Sequence, residues 1–183
     1  RMRVLKESLL AINRNFNKNL CSWFAGMFTA LNPSVEEQLT LQPEMLAALS
    51  SPHSRPINII LGLLKNLCSH PRFLTDDFLD QTAVLFASDV KAVHQNTLGV
   101  LSKLAKEKKE YHDAICCAAT QGLMSRDEST QNKIVKLIQT FGETESPTLK
   151  EALSAYAETM LTSTKKELAA YLKDLSLIHI SEP

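Results

Sequence analysis

The feature that most constrains the fold of this chain is an internal repeat of about 37 residues, which continues through the sequence without gaps. When the sequence is shifted by 37 residues, apolar positions fall onto apolar positions in one column after another. Three such columns are Leu49, Phe86, Leu123 and Met160; Leu61, Leu98 and Val135; and Leu64, Leu101 and Ile138. A unit of this size cannot cover its own apolar side, so we expect successive units to stack and bury it between them.

Each repeat is predicted to be a pair of helices. In the segment from Pro56 to Cys68, apolar residues recur at helical spacing along one stripe. The chain has only 5 Gly and 7 Pro, and no segment shows the sustained alternation that is typical of strands. A stacked array is favoured over a closed bundle, because a bundle does not require a constant period. The predicted pairs are 2–13 with 18–31, 37–49 with 56–67, 74–87 with 93–104, 111–124 with 130–141, and 148–161 with a helix that starts near 167.

These all-α units resemble HEAT repeats, in which an apolar helix and a short polar turn precede a second helix that opens on a buried residue. The resemblance rests on "LAALSSPHSRPINIILGLLKNL", "AVLFASDVKAVHQNTLGVLSKL" and "GLMSRDESTQNKIVKLIQTF", and extends to divergent HEAT-like repeat proteins of bacteria. It implies a right-handed, armadillo-type α-solenoid of antiparallel helix pairs, in which the second helices line a concave face. We expect one array over residues 1–175, as a fragment of a longer solenoid. Residues 176–183 resemble translated sequencing-adaptor sequence, so we expect this tail to lie outside the array.

The charge balance narrows the class of partner. The chain has 20 Lys and Arg residues and 20 Asp and Glu residues, so it has no net positive charge that would attract nucleic acid or an anionic membrane. No apolar run approaches the roughly 18 residues that span a bilayer. The four cysteines lie in apolar helical segments without the regular spacing of a disulfide framework. We therefore expect reduced thiols, a cytoplasmic location and no membrane partner.

The group most suggestive of chemistry is the adjacent pair Cys116 and Cys117, with His112 just upstream. Cys116 shares its column with two leucines, which predicts a buried thiol that acts as a small apolar group. Cys117 shares its column with Asp80, Ser154 and Pro43, which predicts a more exposed position, so it is the thiol with more access to reagents. A structural zinc site has four protein ligands, and the sequence contains no CxxC or HxxxH pair that would supply them. The glycines form neither GxxxxGK[ST] nor GxGxxG. We expect no metal, no cofactor and no catalysis.

One polar column suggests a partner-binding surface. Asn58, Gln95 and Asn132 align at the repeat, each near the start of a second helix, and the resemblance to HEAT arrays places that helix on the concave face. Lys103 and Lys136 fall on the same expected face. The hypothesis is that these amides and cations contact an extended protein or peptide. The alternative is that the amides cap helices or bridge neighbouring repeats.

The expected function is therefore a non-catalytic scaffold that binds a protein or peptide. One alternative is an enzyme of HEAT-like build, such as the alkylpurine DNA glycosylases, which use a basic concave cleft with aromatic residues and a carboxylate. Another is a structural spacer within a larger multidomain protein. Trp23 and Tyr156 lie in apolar columns, which predicts core positions. Those positions and the zero net charge argue against DNA as the partner.

Overall fold

The computed structural model describes residues 1–14 and 16–172, and all regular secondary structure in those ranges is helical. The predicted all-α class is confirmed at that level, whereas residues 176–183 lie outside the described residues. None of the described helices combines the length and the apolar character needed to cross a bilayer. The helices are α1 (Met2–Ile12), α2 (Lys18–Ala30), α3 (Val35–Thr40), α4 (Gln42–Ala48), α5 (Ser54–Leu67), α6 (Thr75–Ala87), α7 (Lys91–Glu107), α8 (His112–Thr120), α9 (Glu128–Phe141), α10 (Pro147–Ser154) and α11 (Thr162–Glu167), with 3-10 turns at Lys109–Tyr111 and Gln121–Met124.

Several helices begin where a polar side chain accepts a hydrogen bond from a backbone N–H of the first turn. Asn17 does so for α2 and Asp127 for α9, each at 2.9 Å from the N–H three residues later. At α3, Ser34 and Glu37 form a reciprocal capping box. These caps satisfy donors that have no partner within the helix, and so they fix the helix starts close to the predicted breaks.

Two predicted helices are shorter than the sequence pattern indicates. The helix predicted over 37–49 is interrupted at Leu41, where φ is −97° and ψ is 11°. Pro43 explains the break, because proline has no N–H and its ring clashes with the carbonyl four residues earlier in a continuous helix. The helix predicted over 148–161 ends at Ser154 and gives way to turns, and α11 starts before the expected position 167.

The chain divides into two compact units, unit 1 from Arg1 to Lys103 and unit 2 from Leu104 onward. In unit 1, α1 packs against α2 and α4, α4 packs against α5 and α6, and α2 packs against α5. Helix α7 lies beside α5, to which two side-chain hydrogen bonds join it, and the His94 ring of α7 lies 5.7 Å from the Phe86 ring of α6. Unit 1 therefore has two rows of helices, α1–α4–α6 and α2–α5–α7.

The apolar columns of the repeat form the cores of both units. Every member of the three columns that begin at Leu49, Leu61 and Leu64 is at most 6% exposed. The predicted core positions are therefore confirmed for these columns. Their burial follows from helical spacing, since residues three and four apart lie on one side of a helix.

In unit 2, α8 packs against α9 and α10, and α9 contacts α11. A fully buried glutamine on α9, Gln131, connects these elements through its side-chain amide. Its Nε2 donates to the carbonyl oxygens of Ser125 at 2.8 Å and Thr159 at 3.0 Å. Its Oε1 accepts from the backbone N–H of Leu161 at 2.9 Å and from Oγ1 of Thr164 at 2.6 Å. This one side chain satisfies backbone groups on two segments, the one before α9 and the one before α11.

Hydrogen bonds between helix pairs span about one repeat or less. In unit 1, several join side chains to groups 36 to 38 residues away, and others span 30 to 34 residues. In unit 2, the corresponding bonds span 28 to 35 residues. Each of these bonds therefore connects a helix pair to the next one along the sequence, and the step is shorter in unit 2.

Candidate partner-binding face

The predicted polar column is only partly reproduced in unit 1. Asn58 on α5 and Gln95 on α7 are both half-buried, but the partner of Asn58 is Asn96, whose Nδ2 donates to Asn58 Oδ1 at 2.9 Å. Equivalent positions on two parallel helices point in the same direction. A direct hydrogen bond between the helices instead needs two side chains that point toward each other, so Asn58 pairs with the residue after its equivalent, Gln95. Asn58 thus bridges neighbouring repeats, as the alternative reading of the column predicted.

Lys103 also connects α7 to α5. Its Nζ donates to the carbonyl oxygen of Lys65 at 2.8 Å, and that carbonyl lies in the last turn of α5, where backbone acceptors have no partner within the helix. The side chain of Lys65 in turn crosses Gly99, where an added methyl group would lie 3.4 Å from Lys65 Nζ. The predicted cation Lys103 is therefore placed on the row, but it is engaged in holding two helices together.

Trp23 was predicted to lie in the core, and this prediction is wrong, since 58% of its surface is exposed. The buried residues of α2 are Cys21, Ala25 and Phe28, which precede the buried positions of α5 by 36 residues rather than 37. A displacement of one residue turns each helical side chain by about 100°. Trp23 therefore moves from the buried side of α2 to its solvent side. Tyr156, the other aromatic residue predicted to be in the core, is half-buried.

With this corrected register, Gly26, Gly62 and Gly99 occupy equivalent positions on the outer side of the α2–α5–α7 row. Gly26 and Gly62 are exposed, and an added methyl group at either would meet nothing within 4 Å. At Gly26 and Gly62 the middle of the helix therefore presents bare backbone rather than a side chain, whereas the Lys65 side chain covers Gly99. We refer to these three positions as the glycine strip.

A groove of about 580 Å³ lies at the α2 end of this face. The rings of Trp23 and Phe24 are nearly perpendicular, with centroids 5.0 Å apart, and Trp23 lines the groove. The groove combines an aromatic wall, a thioether and a guanidinium on a floor of small residues. Its lining residues are Asn19, Ser22, Trp23, Gly26, Met27, Ala30 and Arg55.

Charge is distributed unevenly among the helices of unit 1, although α1 itself carries Arg3, Lys6 and Glu7. The α2–α5–α7 row, up to Lys103, contains no Asp or Glu. Its basic residues are Lys18, Arg55, Lys65, Lys91 and Lys103. Helices α3, α4 and α6 contain no Lys or Arg, and their acidic residues are Glu36, Glu37, Glu44, Asp76, Asp77 and Asp80. The zero net charge of the chain therefore conceals a basic face, and this feature was missed in the sequence because the two signs cancel.

The remaining predicted residues, Asn132 and Lys136, lie on α9 in unit 2, and both are exposed. The residue that forms the extensive hydrogen bonds there is the adjacent Gln131, which was not among the predicted residues. In unit 1, Gln42 plays a similar part: its Nε2 donates to the Arg72 carbonyl oxygen at 3.1 Å and its Oε1 accepts from Leu74 N at 2.8 Å. A glutamine at a position where the repeat otherwise requires an apolar residue is the signal that could have identified them.

A family model described as "Domain of unknown function (DUF6493)" matches residues 1–92, which is half of the chain. The chain belongs to the DUF6493 family. The matched segment contains α1 to α6, and thus Trp23, Arg55 and Lys65, but ends at the start of α7. No curated protein and no solved structure matches the chain.

The thiol pair of this DUF6493 chain lies on α8 in unit 2. Cys116 is fully buried, as predicted, and burial, followed by the neighbouring charges, raises its pKa to about 12. Cys117 is half-buried, and burial raises its pKa as well. Both thiols are therefore held in the protonated form, which is the less nucleophilic one. Nε2 of His112 lies 2.6 Å from the carbonyl oxygen of Ala105, so this imidazole is engaged with backbone. Among the described residues, no three His, Cys, Asp or Glu side chains are grouped to hold a metal ion.

Proposed function

We propose that this chain is a HEAT-like α-solenoid that acts as a non-catalytic scaffold and binds an extended peptide across the α2–α5–α7 row. The repeat of about 37 residues, the burial of its apolar columns and the hydrogen bonds that span one repeat in unit 1 all support the solenoid. Stacked helix pairs present long surfaces that suit extended partners.

The observation that carries the binding role is the exposure of Trp23 beside Met27 and Arg55. A large apolar side chain that is exposed to water contributes little hydrophobic stabilisation to the isolated chain, and a cluster of such residues often marks a binding surface. Trp and Arg are also enriched among the residues that dominate binding energy at interfaces. Trp23 and Arg55 both line the groove, together with small residues such as Gly26 and Ala30. A peptide side chain that fills it would cover the Trp23 ring and contact the guanidinium.

The same features bear on the DNA-binding alternative. The exposed Trp23 removes one of the two sequence arguments against it, and the basic row weakens the other. A glycosylase of the HEAT-like type also needs a carboxylate in its cleft, and the helices of this row carry none up to Lys103. We therefore favour peptide binding over base-excision chemistry.

A selection from a random peptide library displayed on phage tests this proposal. Selected peptides are synthesised, labelled and titrated by fluorescence anisotropy against the wild type, Trp23→Ala and Met124→Ala. Met124 is a matched control, because it is 59% exposed and lies in unit 2. Truncation of a central aromatic contact costs about 2 kcal/mol or more, so Trp23→Ala should weaken binding by about 30-fold or more. Met124→Ala should leave it unchanged.

Two outcomes contradict the proposal. If the selection enriches no peptide, the chain behaves as the structural spacer considered above. If it enriches peptides whose affinity is the same for wild type and Trp23→Ala, then the binding surface lies elsewhere.

A further inference from the structure

We propose that the peptide bound by the α2–α5–α7 row is acidic, with alternating Asp or Glu side chains that reach cations on both sides of the glycine strip. The inference rests on the proposed function and adds the chemistry of the partner. It starts from the uneven distribution of charge in unit 1, which neither the net charge nor the family assignment conveys.

The cations of the row form two lines. Lys18, Arg55 and Lys91 lie at the N-terminal ends of their helices, and Lys65 and Lys103 lie near the C-terminal ends. The bonds from Asn96 to Asn58 and from Lys103 to Lys65 show that α5 and α7 run in the same direction, so both lines continue from α5 to α7. The N-terminal line also includes the start of α2, since Nε2 of His53, just before α5, lies 3.2 Å from the carbonyl oxygen of Phe16, just before α2. The glycine strip lies between them: Gly26 and Gly62 are open, and the Lys65 side chain extends from its line over Gly99.

The cations of α5 have no competing carboxylate. No Asp or Glu of the described residues lies within ion-pair distance of Arg55 or Lys65, whereas Arg72 and Lys6 elsewhere in unit 1 do form ion pairs. The nearest acidic residues in sequence to the row, Asp89 and Glu107, fall before α7 and at its end. A partner of opposite charge would therefore meet complementary groups and no repulsion along α5.

The dimensions suit an extended chain. Arg55 and Lys65 are ten residues apart on α5, which corresponds to about 15 Å along the helix. Side chains of an extended peptide alternate between its two sides, so acidic residues on opposite sides can each reach one line of cations. Three helices about 9 Å apart span about 20 Å between outer axes, which an extended chain covers with about six residues. A peptide of about ten residues therefore crosses the row and reaches the groove at Trp23.

A nucleic acid fits this face less well. Single-stranded nucleic acids are held by successive aromatic stacking platforms and a continuous basic groove. This row exposes one large aromatic side chain, Trp23, and one of its cations, Lys103, is bonded to the α5 carbonyl.

The test compares three labelled probes by fluorescence anisotropy on the full chain. The first is a peptide of about ten residues with Glu at alternate positions and one Leu, the second has Gln in place of every Glu, and the third is an oligo(dT) of equal charge. The variant Arg55→Gln with Lys65→Gln removes one cation from each line. The control variant, Lys165→Gln with Lys166→Gln, makes the same change in charge on exposed positions of α11. Circular dichroism verifies that both variants retain their helix content.

We expect the Glu peptide to bind about tenfold more tightly than the Gln peptide at low salt, with the preference decreasing as salt screens the charges. The Arg55 and Lys65 variant should abolish most of this preference, and the α11 variant should keep it. Equal binding of both peptides, with Trp23→Ala weakening each, would overturn the acidic assignment while leaving peptide binding intact. Oligo(dT) that binds more tightly than the Glu peptide, and loses affinity in the Arg55 and Lys65 variant, would overturn it in favour of nucleic acid. If neither peptide binds but library-selected peptides do, the acidic assignment alone is wrong.

Discussion

Replacement of Gln131 with leucine should destabilise unit 2 by about 3–5 kcal/mol. Leucine has a similar volume, so packing is largely kept and the loss is that of hydrogen bonds. Four groups lie within 3.0 Å of the Gln131 amide, and three of them are backbone groups of segments on either side of α9. Leaving a buried donor or acceptor without a partner costs about 1–3 kcal/mol, and removal of the buried amide itself offsets part of the total.

Urea unfolding followed by far-UV circular dichroism measures this loss, and hydrogen exchange locates it. Gln139→Leu is the matched control, because Gln139 lies on the same helix and donates to the Glu167 carbonyl oxygen at 3.0 Å, but is exposed. Its replacement should cost less than about 1 kcal/mol, since water replaces the lost partner. Faster exchange at Leu161 is expected only for Gln131→Leu. Equal losses in the two variants would refute the reasoning that burial sets the cost.

Three further predictions follow from the same structure. Gly142→Ala should destabilise unit 2 by about 1–3 kcal/mol, because the new methyl group would lie 2.7 Å from a backbone oxygen. Gly62→Ala, with open space around the new methyl group, should instead stabilise α5 by about 0.5–1 kcal/mol. Thermal unfolding measures both changes. Iodoacetamide should label Cys117 slowly in the native state and Cys116 only after unfolding, since burial raises both pKa values; mass spectrometry after digestion distinguishes them. The pKa of Glu37 is lowered by its backbone hydrogen bond at the capping box, so its contribution to stability is present above the unfolded pKa and is lost as the pH falls through the folded one. Glu37→Gln should flatten this part of the stability profile in acid titrations.

The sequence predicts the cores well because burial follows a local pattern. The columns of Leu49, Leu61 and Leu64 are apolar in every repeat, and helical spacing alone places them on one side. The same reasoning fails for α2, where Trp23, Phe24, Met27 and Phe28 make more than one side apolar. Periodicity then does not decide which side is buried, and a repeat shorter by one residue passes unnoticed.

The candidate site was harder to predict than the fold, because it depends on pairs of side chains rather than on columns. Alignment identified Asn58 and Gln95 as equivalent, but two parallel helices bond through non-equivalent positions, and the structure pairs Asn58 with Asn96. The basic face was hidden for a different reason. Carboxylates on α3, α4 and α6 offset the cations of the α2–α5–α7 row in the sum over the chain, so only the assignment of each helix to a row reveals the basic face.

The cross-helix bonds described above join residues no more than 38 positions apart. A nascent polypeptide therefore has both partners of each bond available once about one more repeat has emerged from the ribosome. Within each unit, helices joined by these bonds can dock during synthesis soon after they emerge, and contacts of such short range favour rapid folding. The basic face, whose last cation is Lys103, can thus be complete on the ribosome while much of unit 2 is still to be translated.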